Sequence, residues 1–222
     1  MNIEKQTLNG SPFIGVFSTV TEKMSLIPLN TERKKAKHFE DVLGVETIPT
    51  SIASTSLLGV MARGIGSKFL VPQTIEAREE THLQRLGIEV HKVKEVTAIG
   101  NLVAGNAFGL LASKSIPVQA VKEMEGFLKV PIIHANLAGT ELVGSSLVVN
   151  QQGFLVHPRA APEEIKKLEA LFKVDGIPTT ANYGDPFVGN SLVATSQGAL
   201  VGEMTSGPEM IRIDDGLSGG GT

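Results

Sequence analysis

Apolar positions change rhythm in a fixed order along this chain. A short, nearly continuous apolar run gives way to a stripe with helical spacing, then to a run rich in β-branched residues, and the order recurs. Aligning the glycines ahead of each first run sets the register: Gly15, Gly59, Gly100, Gly144 and Gly189, separated by 44, 41, 44 and 45 residues. A constant period of this size is the mark of a repeat architecture. Nine residues past each glycine stand Met24, Lys68, Gly109, Gly153 and Gly198. Bulky pairs follow closely: Leu26-Ile27, Leu70-Val71, Leu110-Leu111, Leu155-Val156 and Leu200-Val201. In the last three copies the linkers Asn106-Ala-Phe-Gly109, Asn150-Gln-Gln-Gly153 and Thr195-Ser-Gln-Gly198 end in glycine. That residue suits a hairpin turn with a left-handed position, so each copy is predicted to open with a β-hairpin.

The period then becomes about 3.6, the change expected where strand passes to helix. Residues 31–43 align Ala36, Phe39 and Leu43; residues 74–86 align Ile75, His82 or Leu83, and Leu86. In the third copy Pro117 stands at a first helical position before Val118, Val121, Met124 and Leu128; in the fourth, Pro162 precedes Ile165, Leu168 and Leu171 or Phe172. β-Branched segments follow at 45–52, 88–96, 130–134 and 174–180, giving a ββαβ module.

The fifth copy, from Gly189 to Leu217, holds 29 residues, and 14 residues precede Gly15, so the two together supply one period. The strand around Ile3 to Leu8 is therefore predicted to complete the fifth module and close a ring. An open solenoid would need polar capping repeats, and none is visible. Residues 1–217 read as one domain and 218–222 as a flexible tail.

Composition narrows the chemistry. The chain has no cysteine, which excludes disulfides, thiolate metal sites and a cysteine nucleophile. No stretch has the character of a signal peptide or membrane span, so a cytoplasmic protein is expected. The net charge is −3, the cations are dispersed, and Tyr183 is the only tyrosine in a chain without tryptophan. Neither a base-stacking platform nor a basic phosphate groove is written here. The histidines at 38, 82, 91, 134 and 157 lack metal-ligand spacing and read as surface or partly buried residues. Gly144-Ser-Ser146 and Gly189-Asn-Ser191 lack the nucleophile elbow, and Gly64-Ile-Gly66 is an incomplete phosphate-loop signal. The run Glu32-Arg-Lys-Lys-Ala-Lys37 reads as a solvated helix face. The recurrent glycines themselves read as points of close backbone approach near an axis.

Several stretches, in this order, carry a family resemblance. They are Gly59-Val-Met-Ala-Arg-Gly-Ile-Gly-Ser-Lys-Phe-Leu-Val-Pro72, Ala98-Ile-Gly-Asn-Leu102, Val143-Gly-Ser-Ser-Leu-Val-Val-Asn150, Gly153-Phe-Leu-Val-His-Pro158, Leu171-Phe-Lys-Val174 and Thr205-Ser-Gly-Pro-Glu209. Over about residues 11–217 the chain resembles the archaeal translation initiation factor 6 family of ribosome anti-association factors. The resemblance implies a pentein fold, a five-fold pseudosymmetric α/β propeller. It implies a monomer that binds the large ribosomal subunit, mainly through ribosomal proteins with possible rRNA contact, and blocks joining of the small subunit. Release partners would include a translational GTPase; no cofactor and no membrane are implied. The family's contacts carry over to Asn101, and to Ser146, Asn190 and Val60 in matching neighbourhoods. The second hairpin departs from the pattern, reading Gly64-Ile-Gly-Ser-Lys68 where the family commonly has Asn and then a turn glycine.

From Gly189 onward one cation, Arg212, faces Glu203, Glu209, Asp214 and Asp215, so the net charge resides there. Glu203 and Glu209 are expected to meet a basic ribosomal protein, aiding encounter and orientation more than affinity. Two other functions stand beside this reading. One is a non-catalytic protein-binding ring outside translation. The other is a guanidino-modifying enzyme, since the pentein fold hosts such enzymes; they depend on a cysteine nucleophile that this chain lacks.

Overall fold

A computed structural model describes residues 1–219. After β1 (Asn2–Gln6) come five modules, or blades. The first runs α1 (Ile14–Phe17), β2 (Thr19–Val20), β3 (Met24–Pro28), α2 (Arg33–Leu43) and β4 (Glu46–Thr50). The second comprises α3 (Leu58–Met61), β5 (Arg63–Ile65), β6 (Lys68–Pro72), α4 (Ala77–Arg85) and β7 (Glu89–Val93). The third has α5 (Ile99–Leu102), β8 (Val103–Asn106), β9 (Gly109–Ala112), α6 (Val118–Leu128) and β10 (Ile132–His134). The fourth replaces the opening helical turn by a turn at 143–145, followed by β11 (Leu147–Val149), β12 (Phe154–Val156), α7 (Pro162–Phe172) and β13 (Gly176–Pro178). The fifth has α8 (Val188–Ser191), β14 (Leu192–Ala194), β15 (Gly198–Gly202) and α9 (Gly207–Leu217).

Each blade is a three-stranded sheet whose middle strand runs antiparallel to the inner strand and parallel to the outer one. The middle strands β3, β9, β12 and β15 are buried along their whole length, as sandwiched strands must be. In the fifth blade the outer strand is β1, in parallel register with β15 from Asn2 opposite Gly198 to Gln6 opposite Gly202. The inner strands touch in a closed cycle, β2 to β5, β8, β11, β14 and back to β2. This is an α/β ring with five-fold pseudosymmetry, the pentein arrangement.

The core lies between blades. Val193 and Leu200 of the fifth blade pack with Phe39, Val42 and Leu43 of the first; Ala104 and Leu111 of the third pack with Phe154, Leu168 and Phe172 of the fourth. Phe39, Phe69, Phe154 and Phe172 are fully buried, each contributing about 1.5–3 kcal/mol by transfer from water. Two residues expected on buried helix stripes are not there. Leu86 caps the short α4 and is 42% exposed, and Val118, in the first turn of α6, is 60% exposed. In the 74–86 stripe Leu83, not His82, enters the core.

The five repeat glycines meet at the axis. A methyl on Gly59 would stand 1.7 Å from the carbonyl oxygen of Gly15, one on Gly100 1.9 Å from that of Gly59, one on Gly144 2.0 Å from that of Gly100. The cycle closes through Gly189 on Gly144 and Gly15 on Gly189, at 2.3 and 2.2 Å. Only a residue without Cβ permits this approach.

The hairpin glycines differ from expectation. Gly109, Gly153 and Gly198 are not left-handed; they admit the next blade's helix, with a Cβ on each meeting Leu171 Cδ1 at 2.4 Å, Gly216 O at 2.0 Å and Val42 O at 2.2 Å. The left-handed hairpin glycine is Gly66, φ +61°, in the blade whose turn departed from the family pattern. Side chains six residues past the axial glycine stitch the other turns together. Asn106 Nδ2 donates to Asn150 O and Phe172 O, Asn150 Nδ2 to Thr195 O and Leu217 O, and Thr195 Oγ1 to Leu43 O, each bond between 2.7 and 3.1 Å. Each therefore satisfies an orphan carbonyl at the end of the next blade's helix.

Of the tail assigned to 218–222, residues 220–222 lie outside the described residues. Ser218 is held: its hydroxyl donates to Asp214 Oδ1 at 2.8 Å, and the Met1 ammonium donates to the same carboxylate at 2.6 Å.

Candidate functional site

The chain direction sorts the ring into two faces. Opening turns, loops that enter each blade and N-termini of the long helices share one end, the glycine face; hairpin turns and helix C-termini share the other. The residue after each axial glycine lands on the rim of the glycine face. In three blades these are Val60, Asn101 and Asn190, all half-buried. The Asn101 backbone is pinned, its N–H donating to Ala98 O at 3.0 Å and its carbonyl accepting from Gly144 N at 2.8 Å. One sequence motif repeated in register thus brings three of the six expected residues together around the axis.

Ser146 does not join them. It stands two residues past its glycine and is fully buried, its hydroxyl donating to Leu142 O at 2.8 Å. Its neighbour Ser145, the positional match of Asn101, is also buried. Of the two acids, Glu203 is exposed on the glycine face at the end of β15. Glu209 is 8% exposed and its charge is consumed internally. One oxygen accepts from Thr180 Oγ1 and Gly184 N, both at 2.8 Å; the other accepts from Ser206 N, Ser206 Oγ and Tyr183 N at 2.7 to 3.2 Å. Burial works to raise its pKa, but the bonds from Ser206, Thr180 and Gly184 outweigh it and hold the carboxyl at about 2. Glu209 braces the loop at 180–184 against the start of α9.

The same strut recurs. Glu79 accepts from Ser51 Oγ, Ser54 N and Ala53 N, and Glu164 from Ala138 N, so the loop entering each of these blades is tied to that blade's own helix. In the first blade Lys35 Nζ does the equivalent work by donating to Thr7 O at 2.9 Å.

Residues that pattern reasoning passed over complete the face. Phe13 and Leu142, two positions before their axial glycines, are 39% and 40% exposed, with Leu57 and Phe187 half-buried at the equivalent places. Beyond them stand Met204 at 55% and Tyr183 at 82% exposure. Tyr183 is left-handed, φ 65°, between Asn182 at 47° and Gly184 at 98°. Three successive left-handed residues are costly, and Glu209 supplies the bonds that hold them. Phe13, Leu57, Leu142 and Phe187 stand two residues ahead of the aligned glycines, outside the strand and helix runs whose periods set the register.

His157, read as a surface or partly buried residue, is buried against the edge of Phe187 at 5.4 Å, its Nδ1 accepting from Arg159 N at 3.0 Å; burial lowers its pKa. Among the described residues no group of three or more His, Asp or Glu side chains is placed to hold a metal ion, and no helix is long and apolar enough to cross a membrane.

The molecule is a closed five-blade pentein ring with a rim of amide and apolar side chains about its axis. The eIF-6 family profile matches residues 3–216, and the chain belongs to the eIF-6 family. Its relatives are named translation initiation factor 6. That of Pyrococcus abyssi is 36% identical over 98% of this chain and 99% of its own length. That of Thermococcus onnurineus is 36% identical over 98% of both chains, and that of Methanocaldococcus jannaschii 33% identical over 97% of both. A solved structure of DDAH from Pseudomonas aeruginosa complexed with citrulline aligns with TM-score 0.47 and 18% identity, covering 75% of this chain and 68% of that one. This protein is a translation factor by family.

Proposed function

We propose that the protein binds the large ribosomal subunit through its glycine face and sterically prevents the small subunit from joining. The observation that carries this reading is the convergence of Val60, Asn101 and Asn190 on one rim, flanked by Phe13, Leu142, Met204 and Glu203. A mixed rim of half-buried amides and exposed apolar groups resembles the composition of protein interfaces, where a desolvated centre is bordered by polar groups. The partners are ribosomal proteins of the large subunit, with possible rRNA contact, and release requires further factors including a translational GTPase. The mechanism is occupancy, so no covalent step is needed and affinity decides the outcome.

Sedimentation of purified subunits with added protein tests this. The protein should travel with large subunits and reduce the peak of joined ribosomes. Asn101→Arg, which places a long charge on the rim without entering the core, should weaken binding by tenfold or more, on the order of 1.4 kcal/mol. Co-sedimentation with small subunits alone, or with neither, would overturn the function; an Asn101→Arg protein that still blocks joining would remove that rim from the site.

A further inference from the structure

The second blade breaks the repeat inside the ring. Four residues past the axial glycine the blades carry Thr19, Arg63, Ala104, Val148 and Val193. Three of these are small or apolar and pack toward the neighbouring blade. Arg63 instead crosses to the axis, where Nη2 donates to the carbonyl oxygens of Gly100 at 3.1 Å and Gly144 at 3.4 Å. Those two acceptors serve a group with five N–H donors. Nε is buried with no partner. No carboxylate bonds to this guanidinium among the described residues, and desolvation holds its pKa down at about 10, so it stays cationic at neutral pH.

The space beside it is small and lies between the inner strands. A recess of about 30 Å³ is lined by Arg63, Gly64, Ala104, Gly105, Val148 and Val193, among others. It lies next to a chamber of about 320 Å³ between the hairpin turns, bordered by Thr21, Lys23, Asn106, Asn150 and Glu22, whose carboxylate accepts from Ser196 N and Ser196 Oγ. Each inner strand is the edge of its sheet, so unpaired backbone N–H and C=O groups, as well as the guanidinium, border the axis. A recess of this volume admits about one water-sized species. Arg63 is half-buried with its Nε fully covered; a partly desolvated charge without a counter-charge is costly, and an anion of the right size relieves the cost.

We propose that the ring axis is an anion site, in which a single halide-sized anion sits against the Arg63 guanidinium between the inner strands. A tetrahedral oxyanion exceeds the recess and would stop in the chamber at the hairpin turns. The bound anion neutralises the axis and ties together blades two, three and four, whose only axial cation is otherwise shared between two carbonyl dipoles.

The test compares unfolding midpoints of the full chain as sodium chloride replaces sodium gluconate at constant sodium concentration. The parent should gain several degrees with a saturable chloride dependence, and Arg63→Met should show none. Crystals grown in bromide should carry an anomalous peak within hydrogen-bond distance of the parent guanidinium. Equal responses of parent and variant, or no response, would mean that Arg63 is only a brace between Gly100 and Gly144 and would overturn the site. Should Arg63→Met fail to fold, the bromide peak in the parent decides: present at the guanidinium it supports the site, and bromide confined to the outer surface sinks it.

Discussion

The carboxylate of Glu209 gathers five donors from a loop and a helix start, and its consequences can be read as a pH dependence. Its folded-state pKa of about 2 lies below the ordinary 4.5. The stabilisation is therefore complete above the unfolded value and is lost as pH falls through the folded one. Glu209→Gln keeps the shape but sets an NH₂ donor against backbone donors, so it should cost about 1–3 kcal/mol at pH 7. In urea titrations at a series of pH values, the difference between parent and variant should shrink as pH drops from 4.5 toward 2. A difference constant over that window would show that the carboxylate charge is not what matters. Charge counting placed this residue on a binding surface because a count cannot see burial. The signal was nevertheless present: Ser206-Gly-Pro-Glu209 has the spacing of a capping box, and its Glu half is formed, the carboxylate accepting from Ser206 N at 2.7 Å.

Among elements, position decides what a glycine does. Gly100 sits in a one-turn helix with the Gly59 carbonyl where its Cβ would be; Gly126 sits on the exposed face of α6 with nothing within 4 Å. Gly126→Ala should stabilise by about 0.5–1 kcal/mol through better helix propensity and a less disordered unfolded chain. Gly100→Ala must push two blades apart and should cost more than about 4 kcal/mol, a loss reserved for core overpacking or backbone conflict. Chemical denaturation of both variants checks the contrast, and a Gly100→Ala protein as stable as the parent would remove the argument for axial contact. The repeat, the hairpins and the helix stripes were legible because burial imposes their periods. The roles of Gly109, Gly153 and Gly198 were not, because a turn glycine and a glycine against a neighbouring helix leave the same letter in the same place. Asn106 and Asn150 likewise read as turn residues, and only assembly shows them bonded to the next blade's helix end.

At the scale of the whole ring, the site is a product of symmetry and its breakage. Val60, Asn101 and Asn190 were expected from the family resemblance and each lies one residue past its axial glycine, whereas Phe13, Leu142 and Tyr183 depend on where blades meet and carry no local signature. Arg63 departs from its register as strongly as any rim residue, yet it lands in the axis, so departure from the repeat does not by itself mark the outer face. Closure is the remaining global property, since β1 and β15 come from opposite ends of the chain and Met1 and Ile3 pack on the fifth blade's core. Such a pairing is slow to form but leaves no middle strand exposed. Deleting residues 1–6 should bare the backbone groups of β15, a strand buried along its length, and create an open edge. The shortened chain should unfold at lower urea and associate in a concentration-dependent way by light scattering. A peptide of residues 1–7 added in trans should reverse both effects by strand addition. A shortened chain that remains monodisperse with the parent's unfolding curve would show that the ring is held by its inter-blade cores alone.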